Sequence, residues 1–147
     1  MTPAKKIPSY YISENLHLFY GHKLIELRLK NNVNKRDLSK ALDISEKTLK
    51  HIEEGKIKNP YYYYYIYCRH FNLSSNIYLD FNLIKTDDLS GKLEFIKAFY
   101  GLKSLKDIDM ILNLRLGSIS EYINGKNKNS NIETRIENKV TKLKRSK

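Results

Sequence analysis

A single cysteine, Cys68, serves the whole chain of 147 residues. No internal disulfide can form, and a reducing, cytoplasmic setting is expected. Long apolar runs are also missing. Nowhere do about 18 consecutive apolar residues occur, so no membrane-spanning helix is expected. The opening stretch "MTPAKKIPSYYISENL" contains two lysines but no apolar run of signal-peptide length. Carboxylates are scarce: Asp+Glu number 16 against 27 Lys+Arg, giving a net charge of +11 and a pI near 9.6. That surplus favours a polyanionic partner, nucleic acid ahead of an anionic membrane. Enzyme signatures are absent as well. His17, His22, His51 and His70 have no metal-ligand spacing with Cys68. There is no glycine-rich phosphate loop and no carboxylate pair in an apolar setting. Neither a metal, a cofactor nor a catalytic residue is expected. The chain is 41% hydrophobic, enough to bury a core, and its length fits one domain or two small ones.

The apolar spacing is helical throughout. In "SENLHLFYGHKLIELRLKNN", Leu16, Tyr20, Leu24 and Leu27 recur at intervals of three and four. Ser13 is a capping residue with Glu14 in the first turn, and Gly21 is a point where the helix could divide. "NKRDLSKAL" follows, capped by Asn34, with Leu38, Ala41 and Leu42 on one face. Asp43 then occupies a turn position suited to a left-handed backbone. Ile44 plugs the core, and Ser45 caps "EKTLKHIEEG". That last helix has only Leu49 and Ile52 to bury and ends at Gly55.

Two short helices joined by a tight turn, the second with a polar face, form a helix-turn-helix. "VNKRDLSKALDISEKTLKHIEEGKIKNP" resembles the Cro/CI-type (XRE) DNA-binding family through Val33, Leu38, Leu42, Ile44, Leu49 and Ile52. Arg28, "EEGK" at Glu53 to Lys56, and the "NP" at Asn59 and Pro60 also fit the family pattern. Asp43 departs from it, because the family usually has glycine there.

Five consecutive tyrosines, Tyr61 to Tyr65, follow Pro60. A proline at a helix start and helices on both sides disfavour a strand. Helical spacing places Tyr61, Tyr64, Cys68 and Phe71 inward. Tyr62, Tyr63 and either Tyr65 or Tyr67 then face outward, to pack on a partner chain or on the second half of this one. Stacking on bases is the competing use. "NLSSNIYLDF" resembles the family's short fifth helix: Leu73 plugs the core, Ser74 or Ser75 caps, and Ile77, Tyr78 and Leu79 pack.

A second copy of the pattern follows. "SLKDIDMILNLRLGSISEYINGKNK" lies over the first motif with Gly125 on Gly55, an offset of 125 − 55 = 70. Ile108, Leu112, Leu114, Ile119 and Tyr122 then fall on Leu38, Leu42, Ile44, Leu49 and Ile52, and Asn113 on Asp43. The loop before Ser104 must be one residue longer. The expected organisation is all-α: an N-terminal arm at 1–12, a first helix-turn-helix domain at 13–84, a linker at 85–91, and a divergent second domain at 92–147. The last 22 residues carry eight Lys or Arg and two Glu, 8 − 2 = +6, which suits phosphate contact better than base reading.

The resemblance implies a sequence-specific double-stranded DNA-binding regulator, a repressor of bacterial, phage or plasmid origin. It would read the major groove with helix 46–54 and with 115–124 as a second reader. Its base-contact residues would be Ser45, Glu46, Lys47, Thr48 and His51 in the first copy, and Arg115, Ser118 and Glu121 in the second. Its phosphate contacts would be Lys35, Lys50, Lys56, Lys58, Lys126 and Lys128. The two copies could act as a pseudo-dimer, or one could bind DNA while the other pairs with a twin or holds another protein. The competing reading is a phage or mobile-element protein that uses the same fold to bind and inhibit a host protein complex, regulating its own promoter as well.

Overall fold

The computed structural model describes residues 15–145. Ser13, Glu14 and the arm at 1–12 lie outside the described residues, as does Lys147. All regular structure among the described residues is helical.

Helix α1 (Leu16–Lys30) is capped by Asn15, whose Oδ1 accepts from Leu18 N at 3.3 Å. Tyr20, Leu24 and Leu27 line its buried face. Gly21 does not divide it. The glycine is buried where α1 crosses the end of a later helix, and a Cβ there would stand 2.2 Å from the carbonyl oxygen of Glu53. The residue is required for close approach of two backbones rather than for a bend.

Helix α2 (Lys35–Ala41) starts at Asn34, whose side chain accepts from Asp37 N at 2.8 Å. Leu38 is buried as expected, but Ala41 is exposed and Ser39 is buried in its place. Leu42 and Ser39 flank one side of Leu38, whereas Ala41 falls on the other side. Ser39 tolerates burial because its hydroxyl donates to Arg36 O at 2.8 Å. Asp43 adopts φ +57°, and Ile44 N closes the turn on Ser39 O at 3.0 Å. Helix α3 (Glu46–Glu53) begins at Ser45, whose Oγ accepts from Thr48 N at 3.0 Å.

Helix α4 (Tyr61–His70) carries the tyrosine run. Tyr61, Tyr64 and Cys68 are buried, and so is Tyr67, one of the two tyrosines offered for the outer face. Tyr67 lies three residues beyond Tyr64 and shares its face, and its hydroxyl meets buried acceptors described below. After helix α5 (Ser75–Tyr78) a 3-10 turn (Phe81–Leu83) brings Leu79 and Phe81 into the core. Leu73 and Ile77 were expected inside but lie at the surface, Ile77 with 72% of its area exposed. Helix α5 has a single turn, too short to bury a second face.

The linker expected at 85–91 is shorter. Helix α6 (Leu89–Tyr100) already begins at Leu89, with Asp88 accepting from Gly91 N at 2.7 Å. Helices α7 (Leu105–Ile111), α8 (Ser118–Ile123) and α9 (Ser130–Arg145) complete the chain. Helix α6 packs on α4, α5, the 3-10 turn, α7 and α9, so one buried cluster runs from Tyr20 to Leu143 across the connection.

The backbone repeats at the 70-residue offset. Asp43 and Asn113 both have φ +57°, and Gly55 and Gly125 have φ +68° and +77°. Ile44 N–Ser39 O is matched by Leu114 N–Asp109 O at 2.8 Å, and Lys56 N–His51 O by Lys126 N–Glu121 O at 2.8 Å. The first helix of each set ends alike, with Val33 N on Arg28 O and Leu102 N on Lys97 O. That last offset is 102 − 33 = 69, so the second set has its extra residue between this point and Ser104.

Candidate nucleic-acid interface

Helix α3 has only eight residues, so its orientation depends on what its inner face touches. Leu49 and Ile52 are buried, and Glu53 is buried beside them. Glu53 meets Arg28 from α1 in a two-point ion pair, Nε to Oε2 at 2.7 Å and Nη2 to Oε1 at 3.1 Å. Arg28 Nη1 also donates to Val33 O at 3.1 Å. The Tyr67 hydroxyl, from α4, lies 2.6 Å from Glu53 Oε2 and 2.8 Å from Leu24 O. The hydrogen bond to Glu53 raises the pKa of Arg28, and burial raises that of Tyr67. One carboxylate thus joins α1, α3 and α4. In the sequence Glu53 stands out only as part of "EEGK", a match that carries no hint of this role.

The opposite face of α3 is polar and open. Glu46, Lys47 and Lys50 are exposed, and Thr48 and His51 are half-buried. Ser45 Oγ also donates to Thr48 Oγ1 at 2.9 Å, so both hydroxyls are engaged in the cap. Lys35 and Lys58 are exposed nearby in the chain, and Lys56 is exposed with its Nζ 3.3 Å from Glu54 Oε1. No family model, curated protein or solved structure matches this chain significantly.

The corresponding surface of the second set differs. The helix expected over 115–124 is Ser118–Ile123, with Gly117 before it at φ +93°. Arg115 occupies the position of Ser45 and cannot cap. Instead the buried Asp109 reaches over from α7 and accepts from Gly117 N at 2.8 Å and Ile119 N at 3.0 Å. In the repeat alignment Asp109 falls on buried Ser39, and a carboxylate placed there needs donors. Arg115 and Glu121, both expected at bases, pair with each other at 2.7 Å. Ser118 is buried, its hydroxyl donating to Arg115 O at 2.6 Å. Leu116 is 54% exposed and Met110 65% exposed. Lys126 and Lys128 are exposed.

Two of the outer tyrosines, Tyr62 and Tyr65, lie against the second half of the chain. Lys103 Nζ sits 4.1 Å from the Tyr62 ring centre, and the Tyr62 and Tyr63 rings meet edge-on at 5.7 Å. Gly101, at φ +68°, abuts Tyr65, where a Cβ would come within 2.6 Å of the tyrosine Cβ. Tyr65 also receives Arg69 Nη1 at 2.5 Å. Cys68 is buried, and that burial pushes its thiol up to about 12, far from a thiolate at neutral pH.

Proposed function

We propose that this protein is a sequence-specific double-stranded DNA-binding regulator, a repressor of bacterial, phage or plasmid origin with a Cro/CI-like helix-turn-helix at α2 and α3. The observation that carries this reading is the division of α3. Leu49, Ile52 and Glu53 hold it to the body, while Glu46, Lys47 and Lys50 are exposed on its other side. A rod of that kind can enter the major groove, about 12 Å wide, without any rearrangement of the core. Lys47 then donates to guanine O6 or N7, Glu46 accepts from cytosine N4, and Lys35, Lys50, Lys56 and Lys58 meet phosphates. The net charge of +11 supplies the attraction to a polyanion.

The two sets of helices are unequal readers. The Arg115–Glu121 pair and the buried Ser118 leave α8 few side chains for bases. The complex is therefore an asymmetric one, or a homodimer whose α3 helices occupy half-sites about 34 Å apart. The decisive measurement is fluorescence anisotropy with duplexes from the gene's own upstream region. Lys47→Ala is expected to lose about 1–3 kcal/mol of discrimination between the selected duplex and an unrelated one. Unchanged discrimination would remove α3 as the reader.

The exposed Met110, Leu116 and Ile123 on and around α7 and α8 support a second reading, inhibition of a host protein complex through that apolar surface. Failure to bind any duplex at moderate salt would leave this second reading in place of the first.

A further inference from the structure

Helix α9 sorts its charges by side. At about 100° per residue, Arg135, Lys139 and Lys142 fall within about 60° of one another. Glu133 and Glu137 fall on the far side of the helix, together with Lys144. Between them the apolar stripe Ile132, Ile136, Val140 and Leu143 is buried in the core. Contacts hold this arrangement in place. Glu133 accepts from the Tyr122 hydroxyl at 2.5 Å, and Lys144 Nζ donates to Thr86 Oγ1 at 2.6 Å. On the cationic side, Arg135 Nη1 donates to Leu112 O at 3.1 Å, and Lys139 Nζ lies 5.4 Å from the Tyr100 ring centre. Arg135, Asn138, Lys139 and Lys142 line an open groove of about 430 Å³ against the turn at Leu112 and Asn113. No carboxylate among the described residues lines it.

We infer that this flank of α9 is a second, sequence-independent DNA contact, a phosphate-binding stripe of Arg135, Lys139 and Lys142 working beside the base-reading helix α3. The inference rests on the proposed DNA-binding function and adds to it a surface on the other half of the chain. Arg135 to Lys142 rises about 10 Å along the helix, and one strand of duplex presents a phosphate about every 3.4 Å of axis. Three cations on one line can therefore meet successive phosphates. Asn138 adds a donor that suits phosphate oxygen. An anionic membrane is a poor occupant, because the apolar face that would insert is already buried in the protein. Arg135 and Lys139 are already held by Leu112 O and Tyr100, which reduces the ordering cost on binding.

The test uses the full chain and a duplex of unrelated sequence, titrated over a range of salt. The variant Arg135→Gln/Lys139→Gln/Lys142→Gln is compared with Lys85→Gln/Lys92→Gln/Lys106→Gln, which loses the same charge elsewhere. The stripe variant is expected to reduce the slope of log K against log salt by about 2–3, at about 0.9 per phosphate contact, and the control by less than 1. The double variant Lys139→Gln/Lys142→Gln keeps the Arg135 tether to Leu112 and is expected to lose about 2. Equal slopes for stripe variant and control overturn the inference, whatever α3 does. A wild-type chain that ignores duplex but binds polyglutamate through the stripe also overturns it, in favour of an acidic protein. A stripe effect on unrelated duplex with no preferred sequence anywhere supports the stripe and sinks only the sequence-specific reading.

Discussion

Arg28 and Glu53 are both buried, and each is the other's counter-charge. Removing one leaves the other desolvated and alone, so Glu53→Ala is expected to cost about 3–5 kcal/mol in urea unfolding. Replacing both with apolar residues of similar volume should cost far less, and equal losses would show that the pairing is not what matters. His17 is a second titratable group packed against the core. Its Nδ1 is 2.9 Å from the Tyr64 hydroxyl, and its ring lies 5.6 Å from that of Tyr61. Burial lowers its pKa below the ordinary 6.5, and Glu94 opposes this only in part. The unfolded chain then binds the proton first, so this contribution to stability is complete above pH 6.5 and is lost as the pH falls below it. The slope attributable to one such group is at most about 1.4 kcal/mol per pH unit. Urea midpoints measured from pH 8 down to pH 5 should decline, and His17→Gln should flatten the decline. A decline unchanged in His17→Gln would assign it to the carboxylates instead.

Among the elements, α8 is the one least able to stand alone. It has six residues and no cap of its own, since Gly117 precedes it and Arg115 takes the position of Ser45. Its first turn is held by Asp109, which serves two backbone N–H groups at once. Asp109→Ala is therefore expected to cost about 1–2 kcal/mol, the range of a lost helix cap. Amide exchange should rise first at Gly117 and Ile119, and exchange that rises evenly over the whole chain would refute the local role. Helix α3 carries its own cap in Ser45, so it was readable from adjacent residues. The cap of α8 comes from eight and ten residues back and could be seen only when the turn brought α7 over it. The same reasoning separates Tyr67 from its neighbours. Period alone marked Tyr61, Tyr64 and Cys68 as inward, but Tyr67 is held inside by a carboxylate on another helix.

At the scale of the molecule, the division at 85–91 breaks a chain whose core does not break. Helix α6 lies against α4, and Gly101 touches Tyr65 where the two halves meet. Lys97 Nζ donates to Asn59 Oδ1 at 2.7 Å across the same junction. A fragment ending at residue 86 would expose Phe81 and the inner tyrosines of α4 to water. It is expected to melt without a cooperative transition, whereas the full chain should show one. A fragment that melts sharply by circular dichroism would restore two independent domains. The tyrosine run thus divides: Tyr61 and Tyr64 pack on His17, Tyr20 and Phe81 within the first half, and Tyr62 and Tyr65 meet Lys103 and Gly101 of the second.

Local chemistry determined much of this protein from the sequence alone. Asn34 and Ser45 start their helices, Asp43, Gly55, Asn113 and Gly125 turn the chain where a left-handed backbone is needed, and apolar spacing marks Leu24, Leu38, Leu49, Ile52 and Ile119 for burial. Each of these depends on residues within a turn or two, so period and cap chemistry suffice. The tertiary structure alone decided the rest. Gly21 meets the carbonyl of Glu53, Tyr67 is held by Glu53, Asp109 caps α8, and Arg115 is spent on Glu121. Those outcomes require groups distant in the chain to be brought within about 3 Å, where hydrogen bonds and charge pairs act. Sequence spacing carries no record of that distance.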